Sequence, residues 1–327
     1  MAKSYRKNAL KILLIALVVI FLVSASLFGL RLWENQRGRY QGVDLDQETV
    51  THQGTEYVPK KDVESFLVLG LDKFEDTVQA DSYNNDQQAD FLMLLVFDKK
   101  AETYSAVHLN RDTMALVNVL DVAGNKIDTV EKQIALSHTY GNGKDVSCRN
   151  TADSVSALLL GVDINHYLSM TMDSVAVLND LVGGVEVTVQ DDFSGIDDTL
   201  IQGQTVLLKG EQALRFVRSR QGLEDSSNHT RMARQQQYLD ALRKKFSECI
   251  ANDTEFLANA APKLSGHIVS DRSIGQLQDL AEKMNKYQFL GIRQFEGELK
   301  TGDQFLEFYP QKDSVEKLVI ELFYQKK

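Results

Sequence analysis

Three short runs constrain the possible folds of this chain more than any other feature. Residues 66–71 read FLVLGL, residues 91–97 read FLMLLVF and residues 103–109 read TYSAVHL. The first two are continuously apolar, the third mixes Thr103, Ser105 and His108 with its apolar residues, and each is flanked by charge: Asp72 and Lys73 after the first, Asp90 before the second, Arg111 and Asp112 just beyond the third. A strand with one wet face alternates apolar with polar residues, so an uninterrupted short run implies a strand buried on both faces. Segments of helical period follow. Residues 150–160 carry Val155, Leu158 and Leu159 and stop at Gly161, and residues 172–182 repeat the pattern and stop at Gly183. Further helices are expected at 209–217, 231–246, 274–284 and 314–323, with strands at 185–189, 289–295 and 305–309. Strands interleaved with helices predict an α/β domain whose central sheet is covered by helices on both faces.

The N-terminus follows different rules. Residues 1–11 carry Lys3, Arg6, Lys7 and Lys11, and residues 12–30 are uncharged and mostly aliphatic. A helix over that run is ~28 Å long at ~1.5 Å per residue, close to the hydrocarbon thickness of a bilayer. The run is longer than the usual apolar core of a signal peptide, so an uncleaved anchor at 12–32 is the reading. Cleavage near Ser24, Ala25 and Ser26 is the alternative. Polar residues 33–60 then read as a juxtamembrane stalk and 61–327 as the folded domain.

The net charge is −10, yet residues 216–237, FVRSRQGLEDSSNHTRMARQQQ, hold four arginines. Arg218 and Arg220 leave the same side of an extended segment, while Arg231 and Arg234 open a run of helical spacing. Planar, permanently charged forks gathered in an acidic chain suggest an anion site, and phosphate is the natural anion. A lone RxR is more often a pair of solvated charges. Ligands of open α/β sheets bind beyond the strand ends, where Asp72, Asp90, Arg111 and Asp112 fall. Two carboxylates with several arginines are what a Mg²⁺-pyrophosphate site requires, although each aspartate taken singly reads as a turn or cap residue. Zinc chemistry has no support, because the chain lacks CxxC, HExxH and any Cys/His cluster of zinc spacing. Its only cysteines, Cys148 and Cys249, leave open a disulfide or two separate buried thiols. An acidic chain without an evident helix-turn-helix also argues against nucleic acid as a partner.

Six motifs now stand in order: GLD at 70–72, QAD at 88–90, NRDT at 110–113, GGVEV at 183–187, GEQALRFVRSR at 210–220 and RMARQQ at 231–236. The series closely resembles the LytR-CpsA-Psr family, membrane-anchored enzymes of Gram-positive envelopes that move a glycopolymer from a polyprenyl-pyrophosphate carrier to peptidoglycan or a related acceptor. The resemblance implies an α/β fold with a central, mostly mixed sheet, in a single-pass protein of the cell membrane whose C-terminal domain is extracytoplasmic. It implies that Asp72 and Asp90 hold Mg²⁺, or another divalent cation, that Arg111, Arg218, Arg220 and Arg231 clamp the pyrophosphate, and that Gln235 adds a polar contact. Arg111, Asp90, Arg218 and Arg220 are then the expected catalytic residues. It also implies an apolar lipid channel, for which Leu92, Leu94, Val155, Leu159, Val175 and Leu178 are candidates, although a stripe at helical spacing is usually core. The chain departs from the family pattern at Gln88 and Ala89 where Arg-Ser is common, at Asn228 and Thr230 where Asp and Gly are common, and at Asn110 where Pro is common. Hydrolysis of the lipid-linked donor, or binding without turnover, are the competing functions.

Overall fold

The computed structural model describes residues 49–72, 86–219, 228–302 and 305–327, leaving aside the side chains of residues 228 and 229. It opens with a short hairpin, β1 (Val50–His52) and β2 (Thr55–Pro59), and then runs into the three expected strands, β3 (Val63–Leu71), β4 (Ala89–Asp98) and β5 (Thr103–Leu109). A second hairpin, β6 (Met114–Leu120) and β7 (Lys126–Gln133), leads through a 3-10 turn at Ile134–Thr139 to α1 (Asp145–Leu158), β8 (His166–Thr171) and α2 (Asp173–Leu181). Strands β9 (Val185–Thr188) and β10 (Thr205–Leu208) precede α3 (Glu211–Arg218), α4 (Asn228–Asn252) and α5 (Phe256–Leu264). The chain ends through β11 (Ile268–Ser270), α6 (Ile274–Lys286), β12 (Gln288–Arg293), the hairpin β13 (Gly297–Thr301) and β14 (Leu306–Pro310), α7 (Lys312–Phe323) and β15 (Tyr324–Lys326).

The central sheet has the order β11-β8-β3-β4-β5-β12. It is mixed, as expected: β3 runs antiparallel to β4 and parallel to β8, and β5 runs antiparallel to β4 and parallel to β12. Period-two geometry divides each apolar run between two cores. Leu92, Leu94 and Val96 join Leu67, Leu69, Val107 and Leu109 against α1 and α7, while Met93, Leu95 and Phe97 join Phe66, Tyr104 and Ala106 against α4 and α6. Burial on both sides is why residues 66–71 and 91–97 carry no polar alternation, and in β5 Ser105 and His108 are buried as well. A third cluster, built on Val185, Val187, Phe193, Phe216 and Tyr238, binds the β9–β10 hairpin to α3, α4 and α5.

Several boundaries differ from the sequence expectation. Residues 50–59, assigned to the stalk on composition, are part of the fold, because β2 pairs with both β1 and the C-terminal β15. Helix α1 begins at Asp145 rather than 150, and α4 runs on to Asn252. Cys148 and Cys249 are free thiols, so no disulfide joins α1 to α4. Cys148 lies in the core beneath the sheet, 3.7 Å from His138 Nε2, with burial pushing its thiol up to about 12. Cys249 packs against the third cluster instead. No helix among the described residues is long and apolar enough to cross a membrane, and the anchor expected at 12–32 lies outside them.

Candidate active site

The site forms where the ladder between β3 and β4 breaks. Gly70 pairs with Phe91, but the next pair is Leu71 with Ala89, so Asp90 is the extra residue of a β-bulge. Bulges bend a strand and re-aim a side chain at sheet ends. This one requires Gly70, because a Cβ there would stand 2.9 Å from the Phe91 Cβ. The Leu71–Ala89 pair also brings Asp72 and Asp90 to the same end of neighbouring strands.

Arg111 leaves the adjacent end of β5 and divides its donors among three acceptors. One terminal nitrogen donates to the Asp90 carboxylate, the other to Gln88 Oε1, and Nε lies 3.5 Å from Asp112 Oδ1. Gln88, the departure from the family's usual arginine, thus accepts a hydrogen bond from the neighbouring cation instead of adding charge. Asn110 supports this turn by accepting the Asp112 N–H on its side chain, at 3.0 Å, and the Thr113 N–H on its carbonyl, also at 3.0 Å. Arg231 comes from the first turn of α4, and its Nη2 donates to the Asp90 carbonyl at 3.2 Å. Asp90 therefore joins Arg111 and Arg231. Arg218 ends α3 and pairs with Asp72 at 2.5 Å, with both side chains 53% exposed. Arg220 lies outside the described residues.

Gln235 and Arg234 hold the arginine-bearing elements in place. Gln235 is buried and donates from Nε2 to the Val217 carbonyl at 3.3 Å, so its amide fastens α3 to α4 rather than pointing toward an anion. Arg234, absent from the expected site, donates to the Phe216 carbonyl at 2.7 Å and to the Ser219 carbonyl, and pairs with Asp191 at 2.8 Å. These bonds satisfy carbonyls at the end of α3, from which Arg218 projects. His108 was also missed. It is 2% exposed, packs 5.0 Å from the Phe91 ring, and is held down to about 4 by burial and by the charge of Arg231.

An apolar cavity adjoins this polar cluster. A space of about 340 Å³ lies between the sheet and α4, α5 and α6, walled by residues that include Met93, Tyr104, Phe246, Leu280 and Phe289. A second, of about 130 Å³, is lined by Gly70, Met172, Val175, Val217 and Gln235. Val68, Phe91, Leu178 and Leu239 line both, so the two spaces adjoin, and Gly70 and Phe91 set the second beside the Asp90 bulge. Of the expected channel residues, Val175 and Leu178 face this space. Leu92, Leu94, Val155 and Leu159 do not: they are at most 1% exposed in the core on the opposite side of the sheet.

Hard carboxylate oxygens from Asp72 and Asp90, at the ends of paired strands, suit Mg²⁺, which commonly takes one or two carboxylates and completes its shell with phosphate and water. Among the described residues no group of three or more His, Cys, Asp or Glu side chains forms a self-sufficient metal cage.

Fold and site together define a mixed-sheet α/β protein with a cation-carboxylate cluster beside an apolar cavity. A family model described as the LytR_cpsA_psr family matches residues 34–320, and the chain belongs to that family. It is 30% identical over 155 residues to the polyisoprenyl-teichoic acid–peptidoglycan teichoic acid transferase TagU of Enterococcus faecalis, a match covering 46% of this chain and 47% of that protein. The alignment thus spans about half the length of this relative. Among solved structures, TagT bound to LI-WTA superimposes with a TM-score of 0.60 at 20% identity, covering 86% of this chain and 98% of that one. The Streptococcus agalactiae protein gbs0355 does so with a TM-score of 0.62 at 17% identity, covering 80% and 87%. At these identities the superpositions define a shared fold.

Proposed function

We propose that this protein is a membrane-anchored transferase that moves a glycopolymer from a polyprenyl-pyrophosphate carrier to peptidoglycan or a related envelope acceptor through a phosphodiester link. One observation carries the reading: Arg111 and Arg231 meet at Asp90 beside the cavity wall formed by Gly70, Phe91 and Gln235. A lipid pyrophosphate is an anionic head on an apolar tail, and the chain offers a receptor for each side by side. The naming of the Enterococcus faecalis relative as a teichoic acid transferase supports the same chemistry.

In this reading the acceptor hydroxyl attacks the phosphorus attached to the glycan. A new P–O bond forms, the bond to the bridging oxygen breaks, and polyprenyl phosphate leaves with that electron pair. The hydroxyl proton passes to a base, for which Asp72, Asp90 and Asp112 are the carboxylates of the site. Arg111 and Arg231, both largely shielded from water, act on the charge spread over the phosphoryl oxygens, where preorganised donors are strongest. Arg218 stands half-exposed and can exchange Asp72 for phosphate at little cost, since exposed ion pairs contribute ~0–1 kcal/mol. Arg220 is proposed to extend the same clamp. Mg²⁺ held by Asp72 and Asp90 would neutralise phosphate charge as a Lewis acid. Residues 12–32 would keep the site at the lipid surface, facing outward.

The test is turnover of a synthetic lipid-linked donor by the full chain. A charge-assisted contact in such a site contributes ~1.5–3 kcal/mol, so Arg111→Ala and Arg231→Ala should each lower kcat/KM roughly ten- to hundredfold. Lysine should restore part of that, keeping the charge without the fork. Folded alanine variants with wild-type rates would refute the assignment, and release of free glycan phosphate without acceptor product would make the protein a hydrolase.

A further inference from the structure

The chain leaves Arg111 along a second surface that the donor site does not use. Thr113 bridges Phe308 in parallel fashion, and the Phe308 N–H donates to the Asp112 carbonyl at 2.9 Å, so β14 lies alongside the start of β6. The hairpins β6–β7 and β13–β14 thereby form one platform. Thr113 is fully buried and Phe308 stacks on Phe295 within the core. Strand alternation then turns Met114, Leu116 and Tyr309 to the opposite, outer face, together with the cross-strand partners Gln133, Glu131 and Glu298. Leu116 is 51% exposed there. The Tyr309 hydroxyl donates to Glu307 at 2.7 Å, and Lys300 stands 5.0 Å from its ring centroid. Gln133 joins this face to the donor site: its amide donates to Asp112 Oδ1 at 3.3 Å and to the Leu306 carbonyl at 2.7 Å, and Asp112 in turn faces Arg111 Nε.

We propose that this outer face, with Met114, Leu116 and Tyr309 at its centre and Glu131, Glu298 and Glu307 at its rim, is the docking surface for the acceptor, a neutral polysaccharide strand. The proposal rests on the transferase reading. Two observations select this occupant. The first is continuity. The lipid cavity lies on the side of the sheet covered by α4–α6, whereas Ala115 and Phe308, the inner residues of the platform, pack into the core on the side covered by α1 and α7. A strand lying on the platform therefore reaches Arg111 from the side away from the lipid. The second is charge. Glu131, Glu298 and Glu307 against Lys300, which pairs with Glu298 at 3.2 Å, leave the rim net negative and repel a polyanionic polymer such as the donor's own chain. The same carboxylates accept hydrogen bonds from sugar hydroxyls, and Tyr309 with the aliphatic centre offers an amphipathic surface to sugar C–H faces.

The experiment titrates the full chain, without donor, with a soluble β-1,4-linked N-acetylhexosamine oligosaccharide, comparing wild type with Leu116→Ser and Tyr309→Ala. Leu116 is exposed and Tyr309 partly buried, and thermal melting checks the fold. The expected result is a Kd raised ~5-fold or more, and in turnover assays an acceptor KM raised by a similar factor with donor KM and kcat within about twofold of wild type. Wild-type affinity in both variants, no binding of the oligosaccharide to wild type, or equally tight binding of a polyglycerol phosphate would each overturn the proposal. Loss of oligosaccharide binding in the variants of a protein that turns over no donor at all would leave the surface standing and remove the transferase reading.

Discussion

Gly70→Ala is a small change that should disturb both the fold and the chemistry. The added methyl would lie 2.9 Å from the Phe91 Cβ, a contact with an atom fixed to the backbone of β4 that a rotamer change cannot relieve. One strand has to shift by several tenths of an ångström. Overpacking of this kind costs ~1–3 kcal/mol. Replacing glycine lowers the entropy of the unfolded chain and returns ~0.4–1 kcal/mol. A net loss of about 1–2 kcal/mol remains, or a fall in Tm of roughly 2–8 °C for a domain of this size. Because Asp90 is the bulged residue beside Phe91, the shift also moves the carboxylate that Arg111 grips, and misplacements of ~1 Å can cost 10²-fold in rate. Calorimetry with turnover of a lipid-linked donor reads both effects. A Gly70→Ala protein with unchanged Tm and unchanged kcat/KM would refute the claim that the close approach at Gly70 shapes the site.

Two further outcomes are expected. Arg234→Ala removes the hydrogen bonds to the Phe216 and Ser219 carbonyls and leaves Asp191 without its arginine, so urea unfolding should show a loss of ~2–4 kcal/mol, and a loss below ~1 kcal/mol would contradict its role as the tie between α3 and α4. Stability should also fall on acidification. Burial holds His108 and His138 at about 4 against an ordinary 6.5, so between those values the unfolded chain binds more protons and folding loses ground as pH drops. Asp153, raised by burial to about 7, has the opposite sign, its contribution being present at low pH and lost as pH rises from about 4 to 7. Two histidines against one aspartate leave a net loss of ~1.4 kcal/mol per pH unit from about 6.5 down to 4. Denaturant melts across that range check it, and a flat profile, or one unchanged by His108→Gln with His138→Gln, contradicts it.

The parts of this architecture that the sequence announced are those whose physics is local. Uninterrupted apolar runs require strands buried on both faces, and β3 and β4 lie at the sheet centre as that argument demands. Helix stops were legible for the same reason: Gly183 sits at φ +80 just past α2, where few other residues are comfortable. The hairpin β6–β7 escaped notice because KIDTVEKQ, mostly exposed, carries almost no burial pattern. The place of β2 in the fold depends on β15, more than 260 residues away in the chain, and no local signal reports such a pairing. Much the same holds at the site. Arg111 and Arg231 were identifiable as clamp candidates, and the fold joins both to Asp90, but the bulge that aims Asp90 and the binding of Arg111 by Gln88 arise from strand register. The channel candidates show the limit most clearly. Val175 and Leu92 look equally apolar in sequence, and only the assembled sheet decides which faces a cavity and which faces solid core.

The most direct measurement of the central claim is mass spectrometry of lipids extracted from the full chain purified from a Gram-positive host. A polyprenyl phosphate or pyrophosphate species should accompany the wild-type protein, fall sharply in Leu178→Trp, which fills the space shared by both cavities, and fall in Arg111→Ala with Arg231→Ala, which leaves the cavity intact but removes the receptor for the head. A wild-type extract without any polyprenyl species, or one whose lipid content neither change alters in folded protein, would contradict a lipid-pyrophosphate site at Asp90.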